Sequence, residues 1–460
     1  MKPAHPLKQP VSAQDLAAGT KADRNRAADF YRAAAMVAVA VGHWCAMAFV
    51  RDEDGQVVGR NALELAPQMG WLTWLLQVMP LFFVVGGFST AVSLDSHLLA
   101  GRPASAWVAD RLRRMCAPAL VLAATWLAIL AVGGLTPVRG LVFSAAAAAA
   151  IPLWFLSNYT IDTAIAPLVR PAFKAHPARV GAVAVALFVV FEVLHNHGVA
   201  LVGHLNWVLG WLLFQLLGFG WKDGLLGDAR RVAGLAAIMW ATAYGTVRFG
   251  PWPQAMIHIP GMEYSPTHPP SVALVLFGLA YSLSAIALAG PINRWLQRDQ
   301  RAWTVVVAAN GRAMSVYLWH MTAGVVAAGL FNLLGLLPDS PVGSGAWWWE
   351  KVPLMMTAAL LLAIVIKLVG GHESRSLLAP RRGWDAGPVA ITTVAALLSL
   401  AIKGWASGNV VLVVGGCVTV LALGHGVLRC GAWNRTGTAA AALGAGAARL
   451  RTPAWTQRFG

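Results

Sequence analysis

The chain has 460 residues, of which 58% are hydrophobic and only 12% charged. Soluble domains carry about 25% charged residues, so this composition excludes a fold with an ordinary water-facing surface and points to one solvated by lipid. The formal net charge of +16 would suit nucleic acid, but Lys and Arg gather in short connections between apolar runs, which marks cytoplasmic loops and argues against a nucleic-acid partner.

The first 28 residues are polar and basic and read as a cytoplasmic tail. The run that follows has no A-x-A-like cleavage site at its end, so it reads as a retained first span rather than a removed signal peptide. A crossing needs about 20 mostly apolar residues. Spans are expected near 30–50, 71–94, 115–133, 141–168, 181–197, 203–220, 232–250, 271–290, 303–335, 352–370, 388–404 and 409–428. The fourth and ninth are overlong. Pro152 and Pro167 are candidate breaks in one, and Asn310-Gly311-Arg312 in the other. The fifth and sixth are separated by only a few residues and read as a hairpin of short helices.

Charge orients these spans. Basic residues occupy alternate connections: Lys21, Arg24 and Arg26; then Arg102, Arg111, Arg113 and Arg114; then Arg170, Lys174 and Arg179; then Lys222, Arg230 and Arg231; then Arg294, Arg298 and Arg301; then Arg375, Arg381 and Arg382. The final tail continues the pattern with Arg429, Arg435, Arg449 and Arg451. The intervening loops are poor in Lys and Arg, and the first of them is acidic, with Asp52, Glu53, Asp54 and Glu64. The alternation puts both termini in the cytoplasm. The expected fold is therefore all-α, a polytopic transmembrane helical bundle.

Ionisable residues inside spans are costly and become functional candidates by default. The first span holds the sharpest set, Asp29-Phe30-Tyr31-Arg32 followed ten residues later by His43. Eleven residues at about 100° each come within about 20° of whole turns, so Arg32 and His43 share a helix face about 16 Å apart along the axis. Asp29 falls within about 40° of the same face. A histidine titrates near neutrality and suits proton transfer. Read without further context, His43 is equally a polar packing residue, and Arg32 a boundary residue that snorkels. Glu192 and His195 lie one turn apart and read as an interhelical polar contact. The Pro-rich loop 249–270 carries His258, Glu263 and His268 and would shape an outer surface. The four cysteines, Cys45, Cys116, Cys417 and Cys430, show no metal or disulfide spacing. No zinc-type His spacing, Gly-rich phosphate loop or G-x-S-x-G elbow is present.

Several segments together resemble the acyltransferase 3 family of multi-span membrane acyltransferases. The opening Asp29-Phe30-Tyr31-Arg32 with Gly42-His43-Trp44 is similar to the family's first helix, which carries an Arg, ten residues, then a His. Pro80-Leu81-Phe82-Phe83-Val84-Val85-Gly86-Gly87-Phe88 resembles its FF-x-x-SG-F segment, with Gly in place of the usual Ser. Arg111-Leu112-Arg113-Arg114-Met115-Cys116-Ala117-Pro118 resembles its basic RRLRR-x-x-P lead-in to the third helix. Leu153-Trp154-Phe155-Leu156 resembles LWFL, and Ser315-Val316-Tyr317-Leu318-Trp319-His320 resembles the late SLYLWH helix. The resemblance covers about 25–370, some ten spans. It implies a division into a cytoplasmic tail (1–28), an acyltransferase-like core (29–370), about two additional C-terminal helices (371–428) and a second cytoplasmic tail (429–460).

The resemblance implies a cell-membrane enzyme that moves an acetyl or other short acyl group from cytoplasmic acyl-CoA to a hydroxyl, or less readily an amine. The acceptor would be a glycan, lipid-linked sugar or small metabolite. His43 would be catalytic, as general base or transient acyl carrier, with Arg32 supporting it or holding the donor. Arg111 and Arg114 would bind the CoA donor, whose phosphates match Arg forks. Asp29, Trp319 and His320 would support the site, His320 by facing His43 across the bundle. No metal and no tightly bound cofactor is expected, acyl-CoA being a substrate. The rival reading is a small-molecule transporter or exporter, which also uses intramembrane charges; against it, no clear internal repeat relates the two halves.

Overall fold

The computed structural model describes residues 12–373 apart from 52, 54, 56 and 137. The expected spans at 388–404 and 409–428, and the tail 429–460, lie outside the described residues.

The described chain is a helical bundle. A short α1 (Ala13–Ala18) precedes α2 (Arg26–Ala46). A β-hairpin follows, β1 (Met47–Arg51) and β2 (Val57–Asn61), then α3 (Ala62–Leu65), a 3-10 turn (Pro67–Leu72) and α4 (Thr73–Leu76). Next come α5 (Met79–Leu99), α6 (Ala104–Gly133), α7 (Arg139–Ala150), α8 (Leu153–Ala175), α9 (Pro177–Asn196), α10 (Ala200–Lys222) and α11 (Ala229–Phe249). The chain continues with α12 (Val272–Ala287), α13 (Ala289–Arg298), α14 (Gln300–Gly311), α15 (Ala313–Leu333) and α16 (Gly345–Glu373).

Local chemistry sets these boundaries. Asn25, Asp228, Ser271 and Asp299 each turn a side-chain oxygen back onto first-turn backbone amides of α2, α11, α12 and α14, satisfying donors that have no intrahelical partner. The overlong fourth span breaks at Ile151-Pro152, as expected, but not at Pro167. Pro167 and Pro171 both lie inside α8, because a membrane-buried helix resists unfolding where no water can replace its hydrogen bonds. The ninth span breaks at Gly311-Arg312, as expected. The fifth and sixth are two full-length helices rather than a hairpin of short ones.

Two expectations need correcting. The first span stops at Ala46 instead of residue 50, and the fold is not wholly α. Met47–Arg51 pairs antiparallel with Val57–Asn61, with Met47 opposite Asn61 and Ala48 opposite Arg60. Gly55 supplies the left-handed turn between them, at φ 74°.

Five described helical segments are long and apolar enough to cross a membrane: Pro67–Leu99, Arg139–Ala175, Pro177–Asn196, Ala313–Leu333 and Gly345–Val369. A sixth arises if α12 and α13, bent by 44°, count as one crossing. The ten spans expected over this region are therefore more than length and apolarity alone identify; α2, for example, spends its first two turns on Arg26, Asp29 and Arg32. The chain is a helical integral membrane protein. Its centre is α5, whose apolar window is 72% buried, whereas those of α9 and α16 are only 17% buried and face outward. Close helix approach needs small residues. A Cβ at Gly87 would collide with the Gln215 backbone, and one at Gly218 with the Val84 carbonyl, so α5 and α10 touch backbone to backbone.

Candidate functional site

α2 and α15 cross so that His43 meets His320. The rings stack with centroids 5.0 Å apart and planes 28° off parallel, and His320 Nε2 lies 2.9 Å from His43 Nδ1. The proton positions follow from the partners. His320 Nδ1 lies 2.6 Å from the Tyr317 carbonyl oxygen, which can only accept, so this nitrogen carries the proton. In a neutral ring Nε2 is then an acceptor, and His43 Nδ1 must donate to it. That leaves the lone pair of His43 on Nε2, outside the contact with His320; the Val39 carbonyl, one turn earlier, also lies within hydrogen-bonding reach of the His43 ring.

The pair is held from several sides. His320 is fully buried, 0% exposed. The Trp44 indole donates to the His320 carbonyl at 2.9 Å, and Gly324 leaves room for that indole against α15. Tyr317 donates to the Pro152 carbonyl at 2.6 Å, using an acceptor freed by the α7–α8 break. Trp126 of α6 donates to Thr322 at 3.0 Å. Lys351, on α16 and 1% exposed, donates to the Cys45 carbonyl at 2.8 Å and also to that of Met47. Its ammonium thus caps the last turn of α2, where a cation is favoured.

Arg32 binds elsewhere. It donates to Ser89 of α5 and lies 3.7 Å from Asp29. Asp29 is held more closely by Arg24, at 2.7 Å, and the Asp29 carbonyl accepts from Asn310 at 2.8 Å. The shared face predicted for Arg32 and His43 therefore does not become direct contact: one end of α2 engages α5 and the other α15. Trp319 is buried in the main core beside His320.

Arg111 and Arg114 separate. Arg111 stacks on Trp107, 5.4 Å from its centroid, and lies within electrostatic reach of Tyr159, Arg114, Asp110 and Arg32. No carboxylate among the described residues forms a salt bridge with it. Arg114 pairs with Asp110 at 2.9 Å and its side chain is 70% exposed. Their i,i+3 spacing is kept, but Trp107, one turn before Arg111, draws only that guanidinium inward.

Glu192 makes the interhelical contact expected of it: both carboxylate oxygens accept from the Val272 amide at 3.0 Å. In the loop 249–270, His258 and His268 lie with centroids 4.7 Å apart, and His268 stands edge-on to Trp207 at 4.6 Å. Burial lowers both pKa values, and for His268 the neighbouring His258 adds to the effect. A histidine with a folded pKa below its unfolded value near 6.5 stabilises fully above that pH and loses the contribution as pH falls. Acidification from pH 7 to 5 is therefore expected to loosen this loop, measured as lower amide protection factors over 250–270 once the exchange rates are corrected for the slower intrinsic exchange at low pH. Each histidine can remove at most about 1.4 kcal/mol per pH unit, and the solvent exposure of His268 screens its share below that ceiling. Protection factors that stay unchanged between pH 7 and 5 in the wild type would refute this.

These features define a class first: a helical membrane protein with a buried histidine pair at the crossing of an early and a late helix. A family model described as an acyltransferase domain matches residues 25–368, more than half of the chain. The chain belongs to this acyltransferase 3 family. No curated protein and no solved structure matches it. Trp44 and Tyr317 stand inside the motifs that carried the resemblance, without a role there; sequence reasoning did not single out Ser89, Trp126, Tyr159 or Lys351. Of these four, Lys351 carried a usable signal, a charge beside an apolar run.

Proposed function

We propose that the protein transfers an acetyl or other short acyl group from acyl-CoA to a hydroxyl of a glycan, lipid-linked sugar or small molecule. The observation that carries this reading is the contact of His43 Nδ1 with His320 Nε2 at 2.9 Å, which in the tautomer set by the Tyr317 carbonyl leaves His43 Nε2 as the base. In the one-step route, Nε2 takes the acceptor proton as the hydroxyl oxygen attacks the thioester carbonyl. The C–S bond breaks, and the CoA thiolate leaves and recovers a proton from His43. His320 Nε2 accepts from His43 throughout and steadies the transient imidazolium. In the two-step route Nε2 attacks the thioester carbonyl and the C–S bond breaks to release CoA thiolate; the acceptor hydroxyl then attacks the acyl-imidazole, the C–N bond breaks to restore His43, and the hydroxyl proton goes to the departing thiolate. Arg111, in no salt bridge among the described residues and near Arg114 and Arg32 as well as Asp110, supplies an anion-attracting position for the donor's phosphates; Arg114 acts at the rim. The alternating basic loops support cytoplasmic termini and a cell-membrane location, with His43 reached from the outer side.

Purified protein incubated with labelled acyl-CoA should release or transfer the label, and His43→Ala should abolish this. Unchanged turnover in that variant would sink the assignment, and acceptor uptake without acylation would establish the transporter reading. Replacing His320 with Phe keeps the bulk but removes the acceptor that fixes the His43 tautomer. The expected loss is about 100-fold in kcat with little change in the KM for acyl-CoA. A change confined to KM would contradict the positioning role of His320.

A further inference from the structure

α8 and α10 lie side by side along a seam whose two ends are well packed. At one end Trp154 and Trp211 meet with ring centroids 5.4 Å apart. At the other, Phe173 meets Phe219 at 5.7 Å and Arg170 forks onto Asp223. Between these contacts the seam is polar. On α8, Asn158 and Asp162 belong to the stripe Phe155, Asn158, Asp162, Ala166, Arg170 and Phe173, spaced three or four residues apart and so on one face. On α10, Gln215 lies one turn from Trp211 and one turn from Phe219, so it shares the face that meets α8 at both ends. α5 closes the seam, since a Cβ at Gly87 would collide with the Gln215 backbone.

The polar groups of the seam are buried and unpaired. Asp162 and Asn158 are each 1% exposed and Gln215 2%. Both carboxylate oxygens of Asp162, both amide atoms of Asn158 and Oε1 of Gln215 have no hydrogen-bond partner among the described residues. The nearest cation on the same helix, Arg170, two turns further on, is committed to Asp95 and Asp223. Pro167 adds another acceptor: it has no N–H, so the Thr163 carbonyl lacks the hydrogen bond that the residue four positions on normally supplies. The seam thus offers two oxygens from Asp162 and one each from Asn158, Gln215 and Thr163, against a single unpaired nitrogen, Asn158 Nδ2.

Buried polar groups need partners, and an unpaired charge inside a membrane-embedded bundle is the costliest case. A proton on Asp162 would cancel the charge but supply one donor, leaving the other oxygens unpaired. A metal cation serves all of them at once. One carboxylate balances one positive charge, whereas Mg²⁺ or Ca²⁺ would leave net charge in a low dielectric. The donors are hard oxygens, and among the described residues no three His, Cys, Asp or Glu side chains gather as a transition-metal site would require.

We propose that Asp162, Asn158, Gln215 and the Thr163 carbonyl bind one monovalent metal cation, Na⁺ or K⁺, and that the bound ion ties α8 to α10. The proposal is independent of the acyl-transfer reading. Full-length protein in nanodiscs would be prepared in choline chloride and moved stepwise into NaCl or KCl at constant ionic strength. The thermal unfolding midpoint, followed by tryptophan fluorescence, should rise and saturate with one of these cations and not with choline. Radiolabelled Na⁺ and Rb⁺, the latter standing in for K⁺, would be bound by equilibrium dialysis, and the tighter of the two identifies the ion. Asp162→Asn removes the charge at nearly unchanged volume. It should fold, lose the labelled ion, and unfold in choline no earlier than wild type. Asn158→Ala or Gln215→Ala should raise the half-saturating concentration about 10-fold. A midpoint equal in choline, Na⁺ and K⁺ overturns the proposal, as does a cation response that survives in Asp162→Asn. So does an infrared band of a protonated carboxyl that disappears in Asp162→Asn and ignores Na⁺ and K⁺, because a proton then holds the site. Should Asp162→Asn fail to fold, the labelled ions decide: neither bound by the wild type, or binding unchanged in Gln215→Ala, overturns the proposal.

Discussion

Replacing His43 with Ala is expected to lower acyl transfer by about 10³- to 10⁴-fold, the span of a lost general base together with misplaced reactants. The variant should still fold. His43 ends a helix whose fixed contacts are made by its neighbours: Trp44 donates to the His320 carbonyl, and Lys351 caps the carbonyls of Cys45 and Met47. Stability should therefore fall far less than activity, and a detergent unfolding curve close to wild type is the control. Added imidazole should recover part of the rate if the side chain acts as a base, since a diffusible ring can remove the same proton. Rapid quenching of the wild type with labelled acyl-CoA separates the two routes: label on His43 Nε2 establishes the carrier, and its absence during fast turnover establishes the base. Full activity in His43→Ala would place the chemistry elsewhere in the bundle.

The helical, membrane-spanning character was legible because lipid imposes a composition that nothing else requires. The pair His43 and His320 was legible as residue types, since each is a titratable group in an apolar run. Their hydrogen bond was not: it depends on the crossing of α2 over α15, which Gly324 permits and Trp44 locks. The helical wheel placed Arg32 with His43 on one face, but a face about three turns long is shared among several neighbours, and Ser89 of α5 takes Arg32 first. Pro167 looked like a break because the steric rule is learned from water-exposed helices. The hairpin escaped notice because Met47–Arg51 continues an apolar run with no stop signal, and its partner strand begins only after Gly55. Arg111 and Arg114 were indistinguishable by spacing; Trp107 distinguishes them, and its effect is visible only once the ring is seen beneath one guanidinium.

The largest structural loss is expected from Arg170→Met. Arg170 is 1% exposed and sits in α8, between Asp95 near the end of α5 and Asp223 just past the end of α10. It donates to Asp95 at 2.7 and 3.1 Å and to Asp223 at 2.5 and 2.7 Å, a double fork that joins three helices. Lys222 adds contacts to Asp95 at 2.9 Å and to Asp223 at 3.3 Å. Removing the guanidinium leaves two mostly buried carboxylates with one shared ammonium, so the cost is that of uncompensated charge, about 3–5 kcal/mol. Arg170→Lys should recover little of it, because a single ammonium cannot serve two carboxylates bidentately. The sharper test is the combination with Asp95→Asn and Asp223→Asn. If the penalty arises from orphaned charge, the triple variant unfolds in denaturant closer to wild type than Arg170→Met alone. If the three losses simply add, the network contributes through packing, and the backbone contact of α5 with α10 at Gly87 and Gly218 would be what holds this end of the bundle together.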